Sequence, residues 1–160
     1  MAGSTTKKVV VQRFDREPIS GFVNPQTYLS AVGVELLSLS GNLIILSYEE
    51  IKTVYFVREF LSGDPGKEKR EFATRPKTAG LWVRLRFRDG DKLEGILAND
   101  LLQIEPPGFT LVPPDPLSNS QKVFIPRQAL SGIHVVGVIG GARRQRRRTE
   151  PAREQLKMFE

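Results

Sequence analysis

The sequence predicts a mostly β protein of two tandem five-stranded units followed by a disordered tail. Three observations carry that prediction: a hairpin with a period of two, a second copy of it earlier in the chain, and an arginine-rich end without apolar periodicity. The hairpin lies in residues 83–97, VRLRFRDGDKLEGIL. Val83, Leu85 and Phe87 alternate with Arg84, Arg86 and Arg88, which puts apolar side chains on one sheet face and guanidinium groups on the other. Asp89-Gly90 predicts a type I′ turn, because that pair tolerates the positive φ angles such a turn needs. Gly95 marks a bend or a close backbone approach. A two-stranded ribbon is not stable alone in water, so further strands must cover its apolar face.

The second copy supplies them. Residues 9–22, VVVQRFDREPISGF, align with residues 82–96: Phe14 falls on Phe87, Ile19 on Leu93 and Gly21 on Gly95. Further on, residues 48–57, YEEIKTVYFV, run parallel to residues 126–136, PRQALSGIHVV, with Ile51 on Leu130 and Val54 on Ile133. The offset grows from 73 residues at Phe14 to 79 at Ile51, and the extra residues are assigned to the proline-rich loop 113–121. A period this long, present twice, indicates a duplicated small domain, since solenoids use shorter and more numerous units. Phe14, Phe87, Ile51 and Leu130 are expected to be buried at equivalent positions.

Taken in order, the first unit covers residues 8–60. It has a strand at 9–14, a tight turn at 15–18, a return strand at 19–23, a hairpin within 28–46 broken at Gly41-Asn42, one turn at Tyr48-Glu49-Glu50, and a last strand from Ile51. Residues 61–80 are charged, contain Pro65 and Pro76, and read as a linker. The second unit covers residues 81–140: the opening hairpin, short strands at 101–104 and 108–112, the proline loop, and strands at 123–125 and 129–139. Residues 141–160 are too polar to bury a core, which predicts disorder.

The succession of strand, Asp-Gly turn, strand with hydrophobic-x-Gly, two further strands, a one-turn connection and a terminal strand resembles the Sm-like fold, and within it the bacterial RNA chaperone family Hfq. The residues that carry the resemblance are Phe87-Arg88-Asp89-Gly90-Asp91-Lys92-Leu93-Glu94-Gly95 and Ile125-Pro126-Arg127-Gln128-Ala129-Leu130, with Ile19-Ser20-Gly21 and Glu50-Ile51-Lys52-Thr53 in the first unit. The resemblance implies two small Sm-like barrels that bind nucleic acid without catalysis. It also implies open strand edges, by which the repeats pair with each other or with other chains, three chains giving six modules in a ring. Two features depart from that family. Neither copy shows its N-terminal helix, and its RNA-contacting Tyr-Lys-His stretch is replaced by Ser47-Tyr48-Glu49 and Pro126-Arg127-Gln128, where only Arg127 keeps a cation.

Composition narrows the function. In 160 residues there is no cysteine, which excludes disulfides, thiolate metal sites and cysteine nucleophiles. No apolar run is long enough for a membrane span and the start is polar, so a soluble, cytoplasmic protein is expected. No enzyme activity, cofactor or metal is expected either. His134, the single histidine, sits inside an apolar strand as a structural residue, and Asp89 and Asp91 are accounted for as turn formers. The glycines at 137, 140 and 141 lack the lysine-serine pair and the helix of a phosphate loop.

The binding candidates are cationic or apolar. The net charge of +6 is concentrated in residues 141–160, which hold seven Arg/Lys and three Glu. Arg143, Arg144, Arg146, Arg147 and Arg148 could neutralise phosphates, or act as a solubilising spacer. Arg84, Arg86 and Arg88 form a stripe that could track a phosphate backbone with Trp82 or Phe87 for stacking, or a solvated face paired with Glu94. At the extreme end, Gln155, Leu156, Met158 and Phe159 are similar to the peptide by which bacterial replication and repair proteins dock on the sliding clamp; the other reading is a frayed end. The leading expectation is therefore a non-catalytic module that binds RNA or DNA. The rival is a protein-interaction adaptor that assembles by its strand edges and recruits a partner through the terminal peptide.

Overall fold

The period of two in residues 83–88 becomes sidedness in space: Val83, Leu85 and Phe87 are fully buried, and Arg84, Arg86 and Arg88 are exposed on the opposite face. The computed structural model describes residues 6–60, 70–100, 102, 106–115 and 119–140. Among the described residues there are ten strands and no α-helix. The first half contributes β1 (Lys7–Arg13), β2 (Ile19–Val23), β3 (Gly33–Ser38), β4 (Leu43–Ser47) and β5 (Ile51–Val57). The second contributes β6 (Gly80–Phe87), β7 (Lys92–Leu97), β8 (Gly108–Val112), β9 (Ser120–Pro126) and β10 (Leu130–Ile139), with a 3-10 turn at Arg127–Ala129 leading into β10.

All ten strands lie in one antiparallel sheet, ordered β10-β6-β7-β8-β9-β5-β1-β2-β3-β4. Each half follows the same internal order, with its last strand beside its first. The halves meet where β9 pairs with β5, so hydrogen bonding runs continuously through that joint. The sheet ends on β4 at one side and on β10 at the other.

The ladders set the correspondence between halves and move one part of the sequence alignment. Val9 pairs with Gly21 as Val83 pairs with Gly95. The Phe14 N–H donates to the Glu50 carbonyl as the Arg88 N–H donates to that of Ala129. Phe14 thus corresponds to Arg88, not to Phe87, and its ring is only partly buried, as is Leu130; Phe87 and Ile51 are fully buried. The extra residue sits in the turn. Gly90 has φ +90° but Asp89 does not have a positive φ, which excludes a type I′ turn. Instead the Gly90 N–H donates to Phe87 O at 2.9 Å and the Phe87 N–H to Asp91 O at 2.8 Å, a three-residue loop with glycine in the left-handed position. Gly41, φ +91°, closes the β3–β4 turn in the same way, with its N–H on Ser38 O.

Close backbone packing is also duplicated. A Cβ on Gly33 would stand 2.1 Å from the Leu46 carbonyl oxygen, and one on Gly108 2.2 Å from that of Ile125. No side chain fits at either position.

Two apolar clusters fill the interior, and each borrows from the other half. Val9, Val11, Leu36, Ile51, Val54 and Phe56 form the first, and Phe124 of β9 enters it, its ring 5.9 Å from that of Tyr28 and edge-on to it. Val83, Leu85, Phe87, Leu111 and Ile125 form the second, and Val10, Tyr55 and Val57 of the first half enter it. The predicted linker behaves differently from a free spacer over its described part. The carbonyl of Arg70 accepts from the Glu94 N–H, and the Phe72 ring packs edge-on against Trp82 at 6.0 Å, which ties residues 70–72 to β7 and its neighbour. Residues 61–69 lie outside the described residues.

Candidate interaction surfaces

Cross-strand pairing places Arg84 opposite Glu94 and Arg86 opposite Lys92. Glu94 is almost fully buried, and the Arg84 guanidinium reaches it through Nε at 3.0 Å and Nη2 at 2.9 Å. Burial alone would raise the Glu94 pKa; the Phe72 N–H, Arg84 and Trp82 Nε1–H, all donating to it, outweigh burial and hold it below the ordinary glutamate value. Arg88 turns to the first half, its guanidinium 4.0 Å from the centre of the Phe14 ring and its Nη2 2.6 Å from the Glu49 carbonyl. The arginine stripe is thus divided: Arg84 and Arg88 hold the protein together, and Arg86 faces solvent. Of the expected stacking partners, Phe87 is buried in the second cluster and Trp82 is bound to Glu94. Arg127 sits over Phe109 at 5.2 Å, on the turn before β10.

Asp89 and Asp91 have a role that the sequence reading did not give them. Lys52 of β5 bonds both, at 2.8 and 2.9 Å, and Arg70 reaches Asp91 at 2.7 Å. Burial works against the Lys52 ammonium, and the two carboxylates outweigh it, raising its pKa. Burial likewise works against both aspartates, which these cations and nearby backbone N–H groups hold below the ordinary carboxylate value. Such a cluster is an ionised latch between the halves, with neither carboxyl poised to exchange a proton near neutrality. Lys52 lies 37 residues from Asp89, and no local pattern links them.

A third surface is apolar. The large apolar side chains left exposed include Leu37, Leu39, Leu43 and Ile45 at the β3–β4 end, and Ile133, Val135, Val136 and Val138 on β10. Leu43 is 69% exposed and Val135 59%. His134 is exposed on the same strand, opposite Arg84. Neither β4, LIILS, nor β10, LSGIHVVGVI, contains a formally charged residue.

Among the described residues, no group of three or more His, Asp or Glu side chains is placed to hold a metal ion, and no helix is long and apolar enough to cross a membrane. Arg143, Arg144, Arg146, Arg147, Arg148, Gln155, Leu156, Met158 and Phe159 all lie outside the described residues. Neither the curated proteins nor the solved structures contain a match to this chain. Residues 5–137 match the model of a protein family described as a family of unknown function, DUF6982. That match spans both halves of the sheet from β1 into β10, and the chain belongs to the DUF6982 family.

Proposed function

We propose that this chain is a non-catalytic association module: two Sm-like small barrels fused through the β5–β9 joint, which assemble by their sheet edges and present the C-terminal peptide to a protein partner. The observation that carries this reading is the concentration of exposed apolar side chains on β4 and β10, the strands on which the sheet ends among the described residues. The succession of elements in each half, including the one-turn connection before the last strand, supports the Sm-like assignment. Arg84 and Arg88 are already bound within the protein, which leaves less of the second half for a phosphate backbone. A cysteine-free chain suits a cytoplasmic setting.

Nucleic-acid binding is the second reading, favoured by exposed Arg86 and Arg127 and by the arginines at 143, 144 and 146–148. Salt separates the two. The full chain and its L156A/F159A variant are compared for retention of bacterial sliding clamp and of single-stranded nucleic acid at about 50 and about 200 mM salt. Clamp retention that hardly changes with salt and is lost in the variant is the expected result. Retention of nucleic acid alone, falling steeply with salt and lost when Arg86, Arg127, Arg146, Arg147 and Arg148 become serine, selects the second reading. Binding of neither ligand overturns both.

A further inference from the structure

The two apolar strands on which the sheet ends stand in opposite electrostatic surroundings. Between Arg16 and Lys52, the stretch that holds β4, there is no Lys or Arg, while Glu17, Glu35, Glu49 and Glu50 are acidic. Glu35 is the cross-strand partner of exposed Ile45. From Arg127 to Thr149, the stretch that holds β10, there is no Asp or Glu, and six arginines stand at 127, 143, 144 and 146–148. Exposed apolar surface is thus joined to acid at one end of the sheet and to base at the other.

On β10 the apolar side chains share a face. Ile133 pairs with Leu85, Val135 with Val83 and Val138 with Leu81, and cross-strand partners project to the same side of a sheet. Val83 and Leu85 are fully buried, whereas Ile133, Val135 and Val138, one strand further out, are 41%, 59% and 58% exposed. Val136 stands in the bulge where the register shifts between Val135 and Gly137. His134 pairs with Arg84 and projects to the other side.

We propose that β10 and the arginine run after it make a two-part contact with an anionic lipid bilayer. Ile133, Val135 and Val138 enter the boundary between headgroups and acyl chains, and Arg143, Arg144, Arg146, Arg147 and Arg148 gather acidic headgroups around them. This goes beyond the association reading, because it uses a side-chain face of β10 and names a lipid surface as the partner. Neither part suffices alone. A few half-exposed aliphatic side chains hold a protein to a membrane only marginally, and a basic run acts only within a Debye length; firm attachment takes both signals. The backbone of the terminal strand sets the depth. Peptide groups without partners are costly in hydrocarbon, so the strand lies among the headgroups and only side chains go deeper. A nucleic acid is also drawn to the arginines, but it has no use for an aliphatic face beside them, and that combination favours lipid.

The test uses the full chain and vesicles of phosphatidylcholine with or without about 30% phosphatidylglycerol, at about 100 mM salt. The wild type is expected to sediment with the anionic vesicles and to stay in solution with the neutral ones. V135S/V138S and R143S/R144S/R146S/R147S/R148S are each expected to lower the vesicle partition coefficient at least about ten-fold, whereas L43S/I45S, at the acidic end, leaves it unchanged. Depth is read separately. The chain has no cysteine, so V135C takes one environment-sensitive fluorophore at a known place. Its emission is expected to shift to the blue on anionic vesicles and to be quenched by a nitroxide on the acyl chains, while the same label on L43C does neither. This reading follows insertion directly and does not depend on how well the serine variants fold. A wild type that ignores anionic vesicles, or that retains single-stranded nucleic acid but no vesicles, overturns the proposal. V135S/V138S binding as well as the wild type, or a V135C label that stays unquenched, reduces the contact to attraction of the arginines for any polyanion and overturns it too. The clamp experiment is untouched by these outcomes, so failure here leaves the association reading standing.

Discussion

The two halves place the same residue type where the backbone leaves no choice and different types almost everywhere else. Gly33 and Gly108 occupy equivalent points, and each would drive a Cβ into the carbonyl oxygen of the facing strand. Leu36 and Leu111 likewise fill equivalent core positions. Val10 and Arg84 are equivalent too, yet Val10 is buried in the cluster of the second half while Arg84 is exposed and bound to Glu94. The difference follows from position in the sheet: β1 lies beside the joint, whereas β6 lies beside the terminal strand β10. Interior geometry repeats because the strand order repeats; surface chemistry diverges because the first half meets its twin on its β5 side and ends the sheet on β4, whereas the second meets it on its β9 side and ends the sheet on β10.

Changes at the joint test this comparison most severely. Phe124→Ala removes a ring that the second half lends to the core of the first, and is expected to cost about 3–5 kcal/mol. Urea unfolding followed by Trp82 fluorescence and by far-UV circular dichroism should give one coincident transition at a lower midpoint. Two separated transitions in the parent would show halves that fold independently and would break the comparison.

Gly33→Ala and Gly108→Ala come next. Each sets a methyl group against a backbone carbonyl, with a cost of about 3 kcal/mol, and the two costs should agree to within about 1 kcal/mol because the geometries match. A large inequality in thermal melting would mean that equivalent places in the two halves are not equally constrained.

Glu94→Gln addresses the second half alone. The buried carboxylate gathers Arg84, Trp82 and Phe72, and replacing it with a neutral amide is expected to cost about 1–3 kcal/mol. Amide exchange at Phe72 should speed up, with β1 and β2 unaffected. The pH dependence has a defined sign. Glu94, Asp89 and Asp91 have lower pKa values folded than unfolded, so the folded state binds fewer protons in acid. Their contribution is present above the unfolded carboxylate values of about 4 and is lost as pH falls through the folded ones. A denaturation series from pH 7 downward should show this loss, with a smaller slope in Glu94→Gln.

Lys52→Met should have the smallest effect. The side chains of its partners Asp89 and Asp91 are each 39% exposed, so solvent screens the pairs and the loss is expected to be about 1 kcal/mol or less, and smaller still at high salt. An effect above about 2 kcal/mol would make the latch, and not the shared core, the main tie between the halves.

Part of this protein is determined by the sequence alone, and that part is local. The alternation at residues 83–88 sets the sidedness of β6, the duplicated landmarks set the element order, and the prolines and glycines mark the turns, because backbone sterics and the period-two pleat act over a few residues. Tertiary structure decided the rest. The three-residue loop at Gly90, and with it the shift of Phe14 onto Arg88, depends on how the ladder closes on both sides of the turn. Phe124 stands in a short apolar run, Val123-Phe124-Ile125, like any core residue, but only the pairing of β9 with β5 sends it into the other half. Lys52 and Glu94 look like ordinary surface charges in the sequence; folding brings Lys52 to aspartates 37 and 39 residues away and seals Glu94 beneath Phe72 and Trp82. The physical reason is common to all three. A period is written into neighbouring residues, whereas the partner of a side chain is fixed by which strands the closed chain brings together.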